Sequence, residues 1–203
     1  MTKDTESTVF EALDRLAIEV PSWGFADTGT RFGKFHQPAA AVTLEEKFHD
    51  AGLVHRLTAA SPTMAIHVQW DLSPEDSPQD IISLAKAHGV GVGSINPNVF
   101  QDPCYKFGSF CSPDAGAQRS AREHLAKCIT LGAECGSQCL SMWLGDGTNY
   151  PGQDNLRRRK RDLQAALCDI HQQLDRDWPT ATFLIETNHS SPPFTTPTLP
   201  TGA

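Results

Sequence analysis

MAIHVQWDLSPEDSPQDIISLAKAHGVGVGSIN, residues 64–96, is the stretch on which the fold turns. It opens on an apolar run, MAIHVQWD (64–71), which reads as a strand ending on a tryptophan and a carboxylate. SPEDSPQD is a polar loop, and DIISLAKAHG a helix closed by Gly89. GVGSIN (91–96) is the next strand. Strand, polar loop, helix and strand make one βα unit with parallel strands.

The same pattern continues on both sides. Upstream, an amphipathic stretch of about Thr8 to Leu16 leads into AIEVPSWG, an apolar run stopped by Pro21. Thr43-Leu44-Glu45-Glu46 is a capping-box pattern, and it opens a helix carrying Phe48, Leu53, Val54 and Leu57 at helical spacing. Downstream, the long loop PNVFQDPCYKFGSFCSPD precedes a helix from about Ala117 to Leu131. CLSMWLG (139–145) is a strand, DGTNYPGQD a loop, Leu156 to Leu174 a helix, and TATFLIE (180–186) the last strand. Repeated βα units wind into one layer, either an open sheet or an arc of a barrel.

Composition narrows the function classes. A chain of 203 residues holds one ordinary domain, or one domain and an appendage. A net charge of −7 argues against nucleic acid or an anionic membrane as the main partner. No apolar run approaches the roughly 18 residues of a membrane span, and the polar N-terminus has no apolar signal region. A cytoplasmic location is the expectation. LRRRKR (156–161) is basic, but on a helix its five charges point in several directions, and a solvated surface is the better reading. None of the six cysteines forms a C-x-x-C pair, so buried or incidental thiols are expected. No G-x-G-x-x-G or Walker lysine motif follows any strand.

Informative residues collect instead where strands end: Trp23, His67 with Trp70 and Asp71, Asn96 with Phe100, Trp143 with Asp146, and Glu186. In parallel βα architectures the strand C-termini form the active face. A tryptophan offers a flat apolar face and one N–H donor, which suits a sugar ring; the plainer reading is core packing, and three tryptophans at one rim favour the pocket. His67 can polarise a substrate oxygen, with Asp71 fixing its tautomer, or it is a half-buried histidine bonded to backbone. Glu186 is either a ligand for a cation or an exposed carboxylate at a loop start.

VPSWGFADTGTRFGKF (20–35), HVQWD (67–71), INPNVFQD (95–102), YKFGS (105–109) and MWLGDGTNYPGQ (142–153) together resemble the bacterial-type L-rhamnose isomerase family of the xylose-isomerase-like barrels. The resemblance runs from about Val20 to Glu186. It implies an incomplete (β/α)8 barrel of about five βα units over residues 1–186. It also implies an aldose–ketose isomerase interconverting L-rhamnose and L-rhamnulose with a divalent metal, typically manganese. By resemblance Glu186 matches the first metal-ligating carboxylate. Trp23, His67, Trp70, Phe100 and Trp143 match the sugar-pocket wall. Sugar substrates are the implied partners, without nucleic acid or membrane, and full-length family members are homo-oligomers. An endonuclease or epimerase of the same superfamily is the alternative within the fold.

The chain also departs from the family. Members continue through strands six to eight, which supply the remaining metal ligands and the catalytic histidine and aspartates, and Asn188 stands where the family has lysine. Residues 187–203, TNHSSPPFTTPTLPTGA, read as no folded element. With one choice of codons and one T restored after the Glu186 codon, they read YKPFEPAFYHTDLADWG, which opens on YKPFEPAFY, a segment like the family's. A disordered tail arising from one lost nucleotide is therefore expected. On that expectation the chain as written is a non-catalytic fragment of the isomerase.

Overall fold

Strand β2, Thr63–His67, is buried at its last four positions, as a strand covered on both faces must be. It belongs to a five-stranded sheet that follows chain order, β1 to β5. The computed structural model describes residues 3–27, 36–146 and 154–186. The expected tail at 187–203, and the parts of the family-like motifs at 28–35 and 147–153, lie outside the described residues.

Strand β1 is only Val20–Pro21, aligned in parallel with Met64 and Ala65. Pro21 has no N–H to give a ladder, which an edge strand tolerates. Strand β3 is Gly91–Asn96 and β4 is Cys139–Trp143, with Ile95 opposite Leu140. Strand β5, Thr182–Glu186, runs parallel to β4 in continuous register from Cys139↔Thr182 to Trp143↔Glu186. The expected α/β fold, a parallel sheet whose strands are joined through helices, is present.

The chain packs as two units, Met1–Ile66 with Gln79–Gly93, and His67–Pro78 with Ser94–Ala203. In the first unit, helix α1 spans Lys3–Asp14 and α2 spans Leu44–Thr58. The predicted capping box is formed: Thr43 Oγ1 accepts the Glu46 N–H, and the Glu46 carboxylate accepts the Thr43 N–H. Phe48, Ala51, Met64, Ile66 and Ile81 are its buried apolar centre. Between β2 and β3 run the single turn α3, Val68–Asp71, and the helix α4, Pro78–Ala87. Gly89 follows α4 with φ +75, the left-handed conformation that glycine adopts without steric cost.

In the second unit, α5 spans Ala115–Glu134 and α6 Leu156–Asp177, each a few residues longer than the sequence periodicity suggested. Phe110, Leu125, Ile129, Leu140, Met142 and Leu144 are fully buried there. Trp178 is also core, and its Nε1–H donates to the Ser137 carbonyl at 3.0 Å. Its ring lies where a side chain on residue 132 would project: a Cβ on Gly132 would fall 2.3 Å from the ring. All six cysteines are free, three of them buried.

Two expectations need correction. MAIHVQWD is not one strand; the chain leaves β2 at His67 and turns helically through Val68–Asp71. The Asp71 carboxylate accepts the backbone N–H of His67 at 2.6 Å, which closes that turn. The basic run 156–161 is not wholly a solvated surface either. Arg159 is buried, and its guanidinium donates to Asp154 at 2.8 Å and toward the Phe107 and Cys111 carbonyls. Burial works against ionising Asp154, but hydrogen bonds from Arg159 and Arg158 outweigh it and bring the carboxyl down to about 2.

Candidate functional site

Four of the six predicted site residues meet in the second unit through their rings. His67, at the end of β2, is 4% exposed and stacks on Trp70 with ring centroids 3.5 Å apart and planes 11° from parallel. The helical turn after β2 brings this about, because it folds Trp70 back over the residue that ends the strand. Phe100, on the loop after β3, meets His67 edge-on at 6.1 Å and Trp70 edge-on at 6.4 Å. It also packs against Trp143, the last residue of β4, at 4.6 Å and 82°. Edge-to-face contacts of this kind match the positive rim of one ring to the negative face of another. The four rings are thus one continuous aromatic wall, assembled from the ends of β2 and β4 and the loop after β3.

Glu186 ends β5 directly beside Trp143 in the ladder, and its backbone carbonyl accepts the Leu144 N–H at 3.3 Å. Its side chain is exposed. Trp23 sits in the first unit, half-buried in the 3-10 turn Ser22–Gly24.

Asp71 and Asp146, grouped with the rim on sequence, both accept backbone N–H groups. The Asp71 carboxylate accepts the His67 main-chain N–H at 2.6 Å. Asp146 is 5% exposed and accepts from the Ser109 N–H, the Ser109 hydroxyl and the Cys111 N–H. It pins the loop after β3 to the end of β4. Burial, followed by the Asp146 charge, pushes the Cys111 thiol up to about 12, so it is a neutral thiol.

Sequence reasoning missed a polar support behind the wall. Asn98 is 3% exposed, and its Oδ1 accepts the Phe100 and Gln101 N–H groups at 3.3 and 3.0 Å. Its Nδ2 donates to Gln101 Oε1 at 2.6 Å, and the same oxygen accepts the Trp70 indole N–H at 2.6 Å. The Asn98 N–H donates to His124 Nε2 at 3.0 Å. Burial, and then the nearby Lys127 charge, lowers the His124 pKa and keeps that nitrogen an acceptor. An asparagine whose side chain reaches two and three residues on is an Asx-turn pattern, legible in PNVFQ.

The described residues do not make a metal site. Among them no three His, Cys, Asp or Glu side chains come together as a metal-ligating group. A hard divalent cation takes about six oxygen ligands, and one exposed glutamate falls far short. A separate cleft of about 580 Å³ lies in the first unit, where His49 and His88 meet edge-on at 5.7 Å, away from any strand end in that unit's lining.

Known proteins resemble this chain in sequence and in fold. The chain is 35% identical over 171 residues to a "probable sugar isomerase" of Mesorhizobium japonicum, a match covering 82% of this chain and 39% of the relative. The likeness is to sugar isomerases. A second such protein, from Rhizobium meliloti, is 33% identical over 79% of this chain and 38% of its own length. The chain therefore spans about two fifths of the length of these curated relatives. No family model matches it. A solved L-ribulose 3-epimerase superposes with TM-score 0.56 and 17% identity, over 85% of this chain and half of that one. The IolI protein, solved with a bound zinc atom, superposes at TM-score 0.52 and 7% identity, over 84% of this chain and 51% of that one. The fold of this chain is that of about half of each of these two structures.

Proposed function

We propose that this chain carries the sugar-binding wall of an aldose–ketose isomerase whose substrate pair is L-rhamnose and L-rhamnulose. The observation that carries the reading is the ring-to-ring contact of His67, Trp70, Phe100 and Trp143 at the strand ends. A wall of this kind covers the C–H face of a sugar and leaves the hydroxyls to polar groups opposite. In this reading Trp23 is a sugar-contacting residue by family resemblance, His67 faces the ring-opening end of the sugar, and Glu186 offers the first carboxylate to a divalent cation, manganese by the same resemblance. When bound, the cation would polarise the C1 and C2 oxygens during hydrogen transfer. Its other ligands would come from outside the described residues.

The test is direct. The 203-residue chain and a version with one base restored after the Glu186 codon are expressed and assayed for L-rhamnulose formation with manganese. Turnover by the restored version is expected. Inactivity of both toward L-rhamnose would sink the isomerase reading. A 3-epimerase is the second reading, favoured by the solved epimerases that share the fold. It is distinguished by product, a ketose inverted at C3 instead of an aldose–ketose pair.

A further inference from the structure

The loop after β3 has no regular structure where it presents Phe100, yet its backbone is fixed from one side chain. We infer that Asn98 is the positioning residue of the aromatic wall, setting Phe100 through the backbone and Trp70 through Gln101. This inference rests on the sugar-wall reading above for its functional meaning.

Asn98 has one acceptor oxygen and one donor nitrogen, and the two face different tasks. The oxygen takes the N–H groups of residues 100 and 101, which closes a turn and points the Phe100 side chain at the other three rings. The nitrogen holds Gln101 Oε1, and that oxygen holds the Trp70 indole N–H. An amide carbonyl with two lone pairs accepts both donors at once. With the Asn98 nitrogen in place, the Gln101 oxygen is the atom turned toward Trp70, because a flipped amide would set NH2 against NH2. The Asn98 main-chain N–H is in turn anchored on His124, 26 residues away on α5. Asn98 acts on Trp70 and Phe100 through other groups, from a position that water does not reach.

Asn98→Asp separates the two tasks. A carboxylate still accepts the two backbone N–H groups, but it repels Gln101 Oε1 and turns the amide round, so Trp70 loses its acceptor. Gln101→Met removes the same acceptor from an exposed position with little risk to folding. Asn98→Ala removes both tasks.

The experiment uses the full chain with its four tryptophans labelled with 15N at the indole nitrogen. The Trp70 signal is assigned from Trp70→Phe, and solvent exchange of each indole N–H is measured. Trp70 exchange is expected to rise roughly tenfold in Asn98→Asp and Gln101→Met, as for the loss of one hydrogen bond. The buried Trp178 signal should stay unchanged. Asn98→Ala should in addition shift the Trp143 signal, which senses Phe100. If Asn98→Ala does not fold, the other two variants still decide. Unchanged Trp70 exchange in both, with Trp178 intact, overturns the inference. Titration with L-rhamnose keeps the two readings apart. A wild-type chain whose indole signals ignore the sugar counts against the wall as a sugar site, while the exchange rates alone judge Asn98.

Discussion

His124 shows how much one side chain behind the wall can carry. Its Nε2 accepts the Asn98 N–H, with Cys128 Sγ 3.6 Å away and Lys127 adding positive charge nearby. Burial and that charge lower its pKa in the folded chain below the ordinary 6.5. The unfolded chain therefore binds the proton more readily. Stability should be constant in this respect above about 6.5 and should fall as pH drops from there toward the lowered folded value. Urea midpoints measured at pH 7.5 and 5.5 should show the loss. His124→Gln, which can still accept from Asn98 but does not titrate, should reduce it. Little of this was legible beforehand. His67, Trp70, Phe100 and Trp143 stand out in the sequence because large rings at strand ends are visible as residue types. The Asn98–His124 bond joins two positions that only the packing of α5 brings together.

At the level of elements, local chemistry was readable where it is local. Thr43 and Glu46 announce the start of α2 because both halves of the capping box lie within four residues. The end of β2 was misplaced because MAIHVQWD is apolar throughout, and an apolar run does not distinguish a strand from a strand plus one helical turn. The roles of Asp146 and Arg159 were hidden for another reason: each is decided by a loop some 35 to 52 residues away. Asp146→Ala should strand three donors and cost on the order of 3 kcal/mol, with Asp146→Asn retaining part of it through its remaining acceptor. Chemical denaturation checks both. Gly132→Ala sets two effects of α5 against each other. Helix propensity favours alanine by about 1 kcal/mol. The added Cβ, however, would meet the Trp178 ring at 2.3 Å, and that ring is buried and tied to Ser137. Overpacking should win, for a net loss of about 1–2 kcal/mol in urea denaturation and a shift in tryptophan emission.

For the whole chain, charge and the sheet's last strand act together. The sequence pI is near 5.5, so the repulsion that keeps copies apart vanishes close to that pH. Turbidity at fixed concentration should peak there and fall on either side, which light scattering across pH 4.5 to 8 would follow. Strand β5 sharpens the effect, since among the described residues it ends the sheet order and leaves Leu184 49% and Ile185 38% exposed. An uncovered strand with apolar side chains is a template for other chains. The parallel α/β layer was legible from the alternation of apolar runs and helical periodicity. This exposure was not, because TFLIE reads the same whether or not a neighbour covers it. Its consequence belongs to the cell's economy of proteins. Open apolar strands are what chaperones hold and proteases clear, so the standing amount of this polypeptide would depend on its rate of disposal as well as on its rate of synthesis.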